Sequence, residues 1–209
     1  MTELLLVRHG QSQFNAERRW ENWVHESPLT QQGESEAQAL ADRLVAESDV
    51  AAIYASPLTR AAQTAQIIGQ ALGMEPIPLA GLREVDVGLV GGLTSDEFEA
   101  RFPSAFARWR DRRDLGFTWP GGEVRFDFFQ RAAQAVGEVV AGHAGEKVVV
   151  VCHGGVIRAT LAFYLPNDFS EWWSYNLHTG SLSRLEVSPA GNQLLTLNEY
   201  EEVAAAADA

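Results

Sequence analysis

Two short apolar runs, each closing on His-Gly, constrain this chain more than any other feature. Leu4-Leu5-Leu6-Val7 leads into Arg8-His9-Gly10, and Val148-Val149-Val150-Val151-Cys152 leads into His153-Gly154-Gly155. A short apolar run bounded by a Gly turn reads as a buried strand. Open α/β sheets place ligands beyond the carboxyl ends of their strands. Two strands of this kind therefore bring two imidazoles toward one pocket, with the Arg8 fork beside them to hold an anion.

The rest of the chain supports such a sheet. Further strands are expected at 51–55, 75–79, 173–178, 181–187 and 193–198. Helices are expected at 31–47, capped by Thr30, at 58–72, stopped by Gly73, at about 123–143 and at 156–164. Strands alternating with helices predict an α/β layered domain. Residues 82–122 break the alternation. They are rich in Gly, Arg and aromatics, with short helices near 95–101 and 103–112. They are expected, over about 85–122, as an insertion covering the active site at one end of the sheet. The 209-residue length suits one domain, taken as 1–203, with 204–209 as a disordered tail.

Charge and cysteine usage narrow the partners. A net charge of −12 argues against nucleic acid and against an anionic membrane surface. It leaves room for a small anionic substrate held by a few aimed Arg side chains. No apolar run approaches a membrane span, and Glu3 with no basic region before the first apolar run does not resemble a secretory signal. The single cysteine, Cys152, excludes an internal disulfide. These features predict a cytoplasmic protein. A homodimer is one assembly left open.

Phosphoryl transfer through histidine needs a neutral imidazole to attack phosphorus, fixed donors for the equatorial oxygens, and an acid for the leaving oxygen. His9 is the candidate nucleophile. Gly10 lets backbone approach a ligand closely, and Ser12 and Asn15 add short polar groups to the same loop. The segment Arg8-His9-Gly10-Gln11-Ser12-x-x-Asn15 resembles the signature of the histidine phosphatase superfamily, which includes the cofactor-dependent phosphoglycerate mutases. Four further blocks, in family order, extend the resemblance. They are Ser27-Pro28-Leu29-Thr30-x-x-Gly33, Ala55-Ser56-Pro57-Leu58-Thr59-Arg60-Ala61-x-Gln63-Thr64-Ala65, Leu82-Arg83-Glu84-x-x-x-Gly88 and Val151-Cys152-His153-Gly154-Gly155.

The resemblance implies a three-layer α/β/α sandwich with a central, mostly parallel sheet, and a phosphomonoesterase that works through phospho-His9 without metal or other cofactor. It implies a phosphate pocket of Arg8, Arg60 and His153, the last in its charged form, with Asn15 assisting. Gln11, Ser12 and Gly154 are counted with the binding residues. Glu84 is implied as proton donor and then base, and desolvation by the insertion and neighbouring aromatics is expected to favour its protonated form. The stretch between Glu84 and His153 is shorter than the mutases of the family carry, and no Tyr-Gly stretch follows Glu84. Both features favour a phosphatase over a mutase. The complete set of five residues argues against a catalytically silent binding relative. Gly91 stands where many relatives have an acidic residue.

Other residues carry less. Trp20 and Trp23 either line the pocket mouth or pack ordinarily, whereas Trp172 and Trp173 read as structural. Arg108, Arg110, Arg112 and Arg113 either meet a second anionic group or, interleaved with Asp111 and Asp114, form a solvated face. Cys152 reads as a small buried residue. His25, His143 and His178 lack metal-ligand spacing.

Overall fold

The computed structural model describes residues 1–47, 49–166 and 169–201. The expected tail at 204–209 lies outside the described residues. Along the chain, β1 (Thr2–Arg8) is followed by α1 (Gln13–Ala16), α2 (Gln31–Val45), β2 (Val50–Ala55), α3 (Thr59–Leu72) and β3 (Ile77–Pro78). Then come α4 (Ser95–Arg101), α5 (Pro103–Arg110), α6 (Arg125–Gly142), β4 (Lys147–Cys152), α7 (Gly154–Tyr164), β5 (Leu182–Val187) and β6 (Gln193–Glu199).

The sheet order is β3-β2-β4-β1-β5-β6. β3, β2, β4 and β1 pair in parallel, and β5 runs antiparallel to both β1 and β6. The fold is thus α/β with a mixed, mostly parallel sheet. Leu4, Leu5, Leu6, Val7 and Val148 through Val151 are fully buried because β1 and β4 are central and covered on both faces. Alternate side chains go to opposite layers. Leu4, Leu6, Val148 and Val150 pack with Phe128, Phe129 and Val136 of α6 and with Ile157 of α7. Leu5, Val7, Val149 and Val151 pack with Leu40 and Leu44 of α2 and with Ala65 and Ile68 of α3. Each fully buried Leu or Val side chain contributes about 1.5–3 kcal/mol.

Local signals set the helix ends. The Thr30 side chain accepts the Gly33 N–H at 3.1 Å at the start of α2, and Gly73 closes α3 in the left-handed conformation. The expected strand at 173–178 does not form. Residues Phe169–Ser174 make a 3₁₀ turn instead. Trp172 turns inward against Phe129, with ring centroids 4.9 Å apart, and its Nε1 donates to the Arg112 carbonyl. That alternating aromatic pattern marks packing under a turn, not a pleated face.

Between β3 and α6 the chain is irregular apart from α4, α5 and two short 3₁₀ turns at Ala80–Leu82 and Gly88–Val90. It builds its own aromatic cluster of Phe98, Phe117, Trp119, Val87 and Val90, joined by Trp20 and Trp109. This cluster stands at the carboxyl ends of β1 and β4, where it walls the cavity described next.

Candidate active site

A cavity of about 540 Å³ opens at these strand ends. Its inner wall holds Arg8, His9, Asn15, Glu21, Arg60, Glu84, Gly154 and Gly155. Val85, Val87, Trp20, Trp109 and Trp119 form one outer side, and Arg112, Arg158, Trp172 and Trp173 another.

His9 is locked in place by backbone. Its N–H donates to the Cys152 carbonyl at 3.0 Å, and its own carbonyl accepts the Gly180 N–H at 3.0 Å. The ring is fixed by Nδ1, which lies 2.7 Å from the Gly10 carbonyl. A carbonyl only accepts, so Nδ1 carries the proton and the Nε2 lone pair is free to act. Arg60 Nε donates to that Nε2 at 3.1 Å. Burial, then the Arg60 and Arg8 charges, hold the His9 pKa well below the ordinary range, against a smaller opposing effect of the Gly10 bond. His9 is therefore a neutral imidazole at physiological pH.

Gly10 explains how the loop stays close to the site. A Cβ there would overlap the Gly33 carbonyl, so only glycine lets the two loops touch. The Gly10 N–H donates to Thr64 Oγ1 at 3.1 Å, and that hydroxyl donates to the Arg60 carbonyl. The nucleophile loop and the first turn of α3 are thereby tied together.

His153 is fully buried, with its ring centroid 5.0 Å from that of His9. Its Nε2 lies 2.8 Å from Ser56 Oγ, and Ser56 Oγ accepts the Leu58 N–H at 3.3 Å. The charged form expected of His153 is one that an adjacent phosphate favours. Burial, then Arg60, His9 and Arg8, push its pKa well below the usual value, because a third positive charge there would face two guanidinium groups.

Arg60 is held by an acid that carries no sequence signal. Glu21 Oε2 lies 3.1 Å from Arg60 Nε, and both side chains are almost fully buried. Ser12 Oγ and Ser27 Oγ donate to the Glu21 carboxylate at 3.0 and 2.8 Å. A buried ion pair needs such extra hydrogen bonds to offset its desolvation. Arg8 donates through Nη1 to the Leu177 carbonyl at 2.6 Å. Its pKa is lowered to about 10, by burial first and by Arg158 next, so it stays charged at neutral pH.

Glu84 lies opposite. Its Oε2 accepts the Gly155 N–H at 2.9 Å and its Oε1 the Val85 N–H at 3.0 Å. A Cβ on Gly155 would overlap this carboxylate, so the glycine gives the acid its seat at the start of α7.

Among the described residues, four buried side-chain polar atoms have no hydrogen-bond partner. Three of them are Arg8 Nε, Arg60 Nη1 and His153 Nδ1, all on residues gathered about His9. Native interiors leave few such groups unpaired. Their convergence describes a donor set built for an anion.

Several residues fall elsewhere than expected. Gln11 and Ser12 do not line the cavity. The Gln11 side chain accepts from Thr30 Oγ1 and its N–H donates to Glu36, while Ser12 supports Glu21 and caps α1. Trp20 lines the cavity, but Trp23 does not. Trp23 lies under the Arg83 and Arg131 guanidinium groups, and its Nε1 donates to the Glu84 carbonyl. It therefore braces the acid from outside. Trp172 and Trp173, read as structural, line the cavity. The Arg108–Arg113 cluster divides. Arg108 pairs with Asp114 and Arg113 with Glu171, and only Arg112 reaches the cavity wall. Cys152 is fully buried and burial raises its thiol pKa strongly, so it is no nucleophile. Among the described residues no group of three His, Cys, Asp or Glu is placed to hold a metal ion.

Glu21 and Arg158 carry no signal in the sequence. Glu21 sits in a polar loop without a motif. Arg158, four residues after Gly154 on α7, reads as an ordinary helix residue until the cavity is seen.

The comparisons with known proteins agree with this arrangement. Phosphoserine phosphatase 1 of Hydrogenobacter thermophilus is 32% identical over 199 residues, covering 95% of this chain and 92% of that protein. A metal-independent phosphoserine phosphatase of Arabidopsis thaliana is 38% identical over 162 residues, covering 76% and 67% respectively. The solved structure of Bacillus stearothermophilus YhfR superposes with a TM-score of 0.86 at 34% identity, covering 94% of this chain and 96% of that one. The model of the histidine phosphatase superfamily (branch 1) matches residues 4–200. With paired imidazoles at the ends of β1 and β4 and a family match along nearly its whole length, the chain belongs to the histidine phosphatase superfamily, branch 1.

Proposed function

We propose that this chain is a metal-independent phosphomonoesterase in which His9 carries the phosphoryl group. The observation that carries the reading is the set of unpartnered buried donors, Arg8 Nε, Arg60 Nη1 and His153 Nδ1, around a neutral His9.

The ester phosphate enters the inner pocket, and its equatorial oxygens take hydrogen bonds from these donors. Ser56 Oγ, already accepting from Leu58, directs its own proton to His153 Nε2. His153 then carries its proton on Nδ1, where it serves as a donor without being charged. The phosphate displaces the Arg60 Nε–H from the His9 lone pair. His9 Nε2 attacks phosphorus in line, the P–N bond forms, and the P–O bond to the alcohol breaks. Glu84 gives its proton to the departing oxygen. In the second half a water attacks phosphorus, the P–N bond breaks, and Glu84 takes the water's proton. The net reaction is ester plus water to alcohol plus phosphate, with His9 and Glu84 restored. Asn15 and the Gly154 backbone complete the pocket wall.

In the same reading, residues 85–122 are an insertion into a single domain spanning 1–203. The partner is a small anionic ester rather than nucleic acid, in keeping with a net charge of −12. Among the described residues no helix is long and apolar enough to cross a membrane. A cytoplasmic location fits the lone, buried thiol. A homodimer is the assembly to test by light scattering.

The test uses p-nitrophenyl phosphate with and without a chelator, on the parent protein and on His9→Ala. Hydrolysis should be indifferent to the chelator and absent from His9→Ala. Activity that survives the substitution, or that chelation removes, defeats the mechanism.

A further inference from the structure

Glu84 stands in irregular chain between the 3₁₀ turns at Ala80–Leu82 and Gly88–Val90. Such chain does not aim a carboxyl group by itself. One side chain of α6 fixes the backbone around it. Arg131 Nη1 donates to the Gly81 carbonyl at 2.8 Å and the Arg83 carbonyl at 3.0 Å, and Nη2 donates to the Glu84 carbonyl at 3.4 Å. Nε and Nη2 each donate to the Glu123 carboxylate at 2.9 Å, the two-pronged geometry of a guanidinium on a carboxylate. Every N–H of the guanidinium is thereby used.

Glu123 extends the hold past the acid. Its Oε2 accepts the Asp86 N–H at 2.8 Å, and its own N–H donates to the Asp86 carbonyl at 2.9 Å. The chain is gripped before Glu84 at Gly81 and Arg83, and after it at Asp86. Packing brings these parts within reach. A Cβ on Gly81 would lie 2.6 Å from Ala135 Cβ, so the glycine lets the turn lie flat on α6, one helical turn from Arg131. The Arg131 guanidinium lies 5.5 Å from the Trp23 ring and 5.2 Å from the Phe128 ring, and both restrict its plane. Arg131 does not line the cavity, so it meets the ester only through the chain it holds.

We propose that Arg131 is a positioning residue for Glu84: its planar fork, clamped by Glu123, sets where the carboxyl group stands relative to the leaving oxygen. This inference rests on the reading of Glu84 as the general acid. The fork matters here more than the charge. A lysine ammonium has three donors on a flexible stem and cannot span the same carbonyls together with both carboxylate oxygens. A long-range effect of the charge on His153 is a separate matter, and burial depresses His153 most and Arg131 least.

The test uses two esters that differ in their need for the acid. p-Nitrophenolate is a stable anion and departs with little help, whereas the alkoxide of benzyl phosphate has to be protonated as it leaves. kcat/KM is measured for both, since it covers the steps up to cleavage of the P–O bond. Misplacing a catalytic group by 1 Å costs about 10²-fold, so Arg131→Met should lose at least about tenfold more on benzyl phosphate than on p-nitrophenyl phosphate. Arg131→Lys keeps the positive charge near Glu123 and His153, and it should show the same bias. In a Glu84→Gln background no acid is left to aim, so Arg131→Met should add no further bias. If Arg131→Met does not fold, Arg131→Lys decides alone. Equal losses on the two esters, as a general weakening of the fold would give, overturn the proposal. So does Arg131→Lys with the parent's rates, or a bias that Arg131→Met still adds to Glu84→Gln. Failure of the underlying reading looks different. Glu84→Gln itself then shows no bias against benzyl phosphate, which removes the acid and the proposal together.

Discussion

The inner pocket and the outer wall of the cavity are built by different means. The inner pocket grows from the most rigid part of the molecule. His9 and His153 directly follow β1 and β4, whose side chains are buried on both faces. Arg8, His9, Arg60 and His153 are each held by at least one hydrogen bond, and Arg8, Arg60 and His153 each keep a buried nitrogen without a partner. The outer wall comes mostly from chain between β3 and α6 and from the turn around Trp172, with Trp20 from the loop after α1 and Arg158 from α7. It is held by ring contacts and by Arg–carbonyl bonds. The contrast teaches a division of labour: the sheet ends set the reaction, and the irregular wall sets which ester can present its phosphate to them.

The largest expected effect lies at the centre of the inner pocket. His9→Ala should lower kcat by about 10⁴-fold or more, because it removes the attacking nitrogen itself. Steady-state hydrolysis of an aryl phosphate reads it, and a loss of less than tenfold would break the division. Arg60→Ala comes next. It removes one donor from the transition state, worth about 10²–10³-fold in kcat. It also strands Glu21 in the interior, so unfolding free energy should fall by about 3–5 kcal/mol. Denaturant titration measures the second effect, which no outer-wall Arg should match.

The pH dependence of stability separates the regions further. His9 and His153 both have depressed folded-state pKa values. Between those values and an unfolded value of about 6.5, the unfolded chain binds more protons than the folded one. Stability is therefore full above about pH 6.5 and falls as the pH drops below it. The melting temperature should decline between pH 7 and pH 5.5, and a flat profile there would contradict neutral, buried imidazoles. The smallest effect belongs to the outer wall. Trp173→Ala should change kcat/KM by less than about tenfold, by an amount that varies from one ester to another. A uniform loss in kcat across a panel of esters would place Trp173 with the reaction instead.

The two regions also differ in how legible they are in the sequence. β1 and β4 are readable because a continuous apolar run of this length ending in Gly fits little besides a buried strand. Their observed bounds, Thr2–Arg8 and Lys147–Cys152, lie close to those expected. Helix α7 starts at Gly154, earlier than the expected 156, because two glycines carry little helix signal. Glu21 is invisible in the sequence for a physical reason: its burial depends on Ser12, Ser27 and Arg60 meeting in space. Trp23 and Trp172 show the limit most clearly. Both are aromatic and near the site, yet Trp172 lines the cavity and Trp23 braces Glu84 from behind. Which way an indole turns in irregular chain is fixed by its neighbours and not by sequence spacing.

The central claim is that His9 becomes covalently phosphorylated. Rapid quenching of the enzyme during turnover of p-nitrophenyl phosphate, followed by mass analysis of its peptides under alkaline conditions, tests it directly. A single acid-labile phosphoryl group is predicted on the peptide containing His9, absent from His9→Ala, and released as inorganic phosphate at the rate of turnover. A phosphoryl group on the His153 peptide, or turnover with no phosphoenzyme on His9, would contradict it.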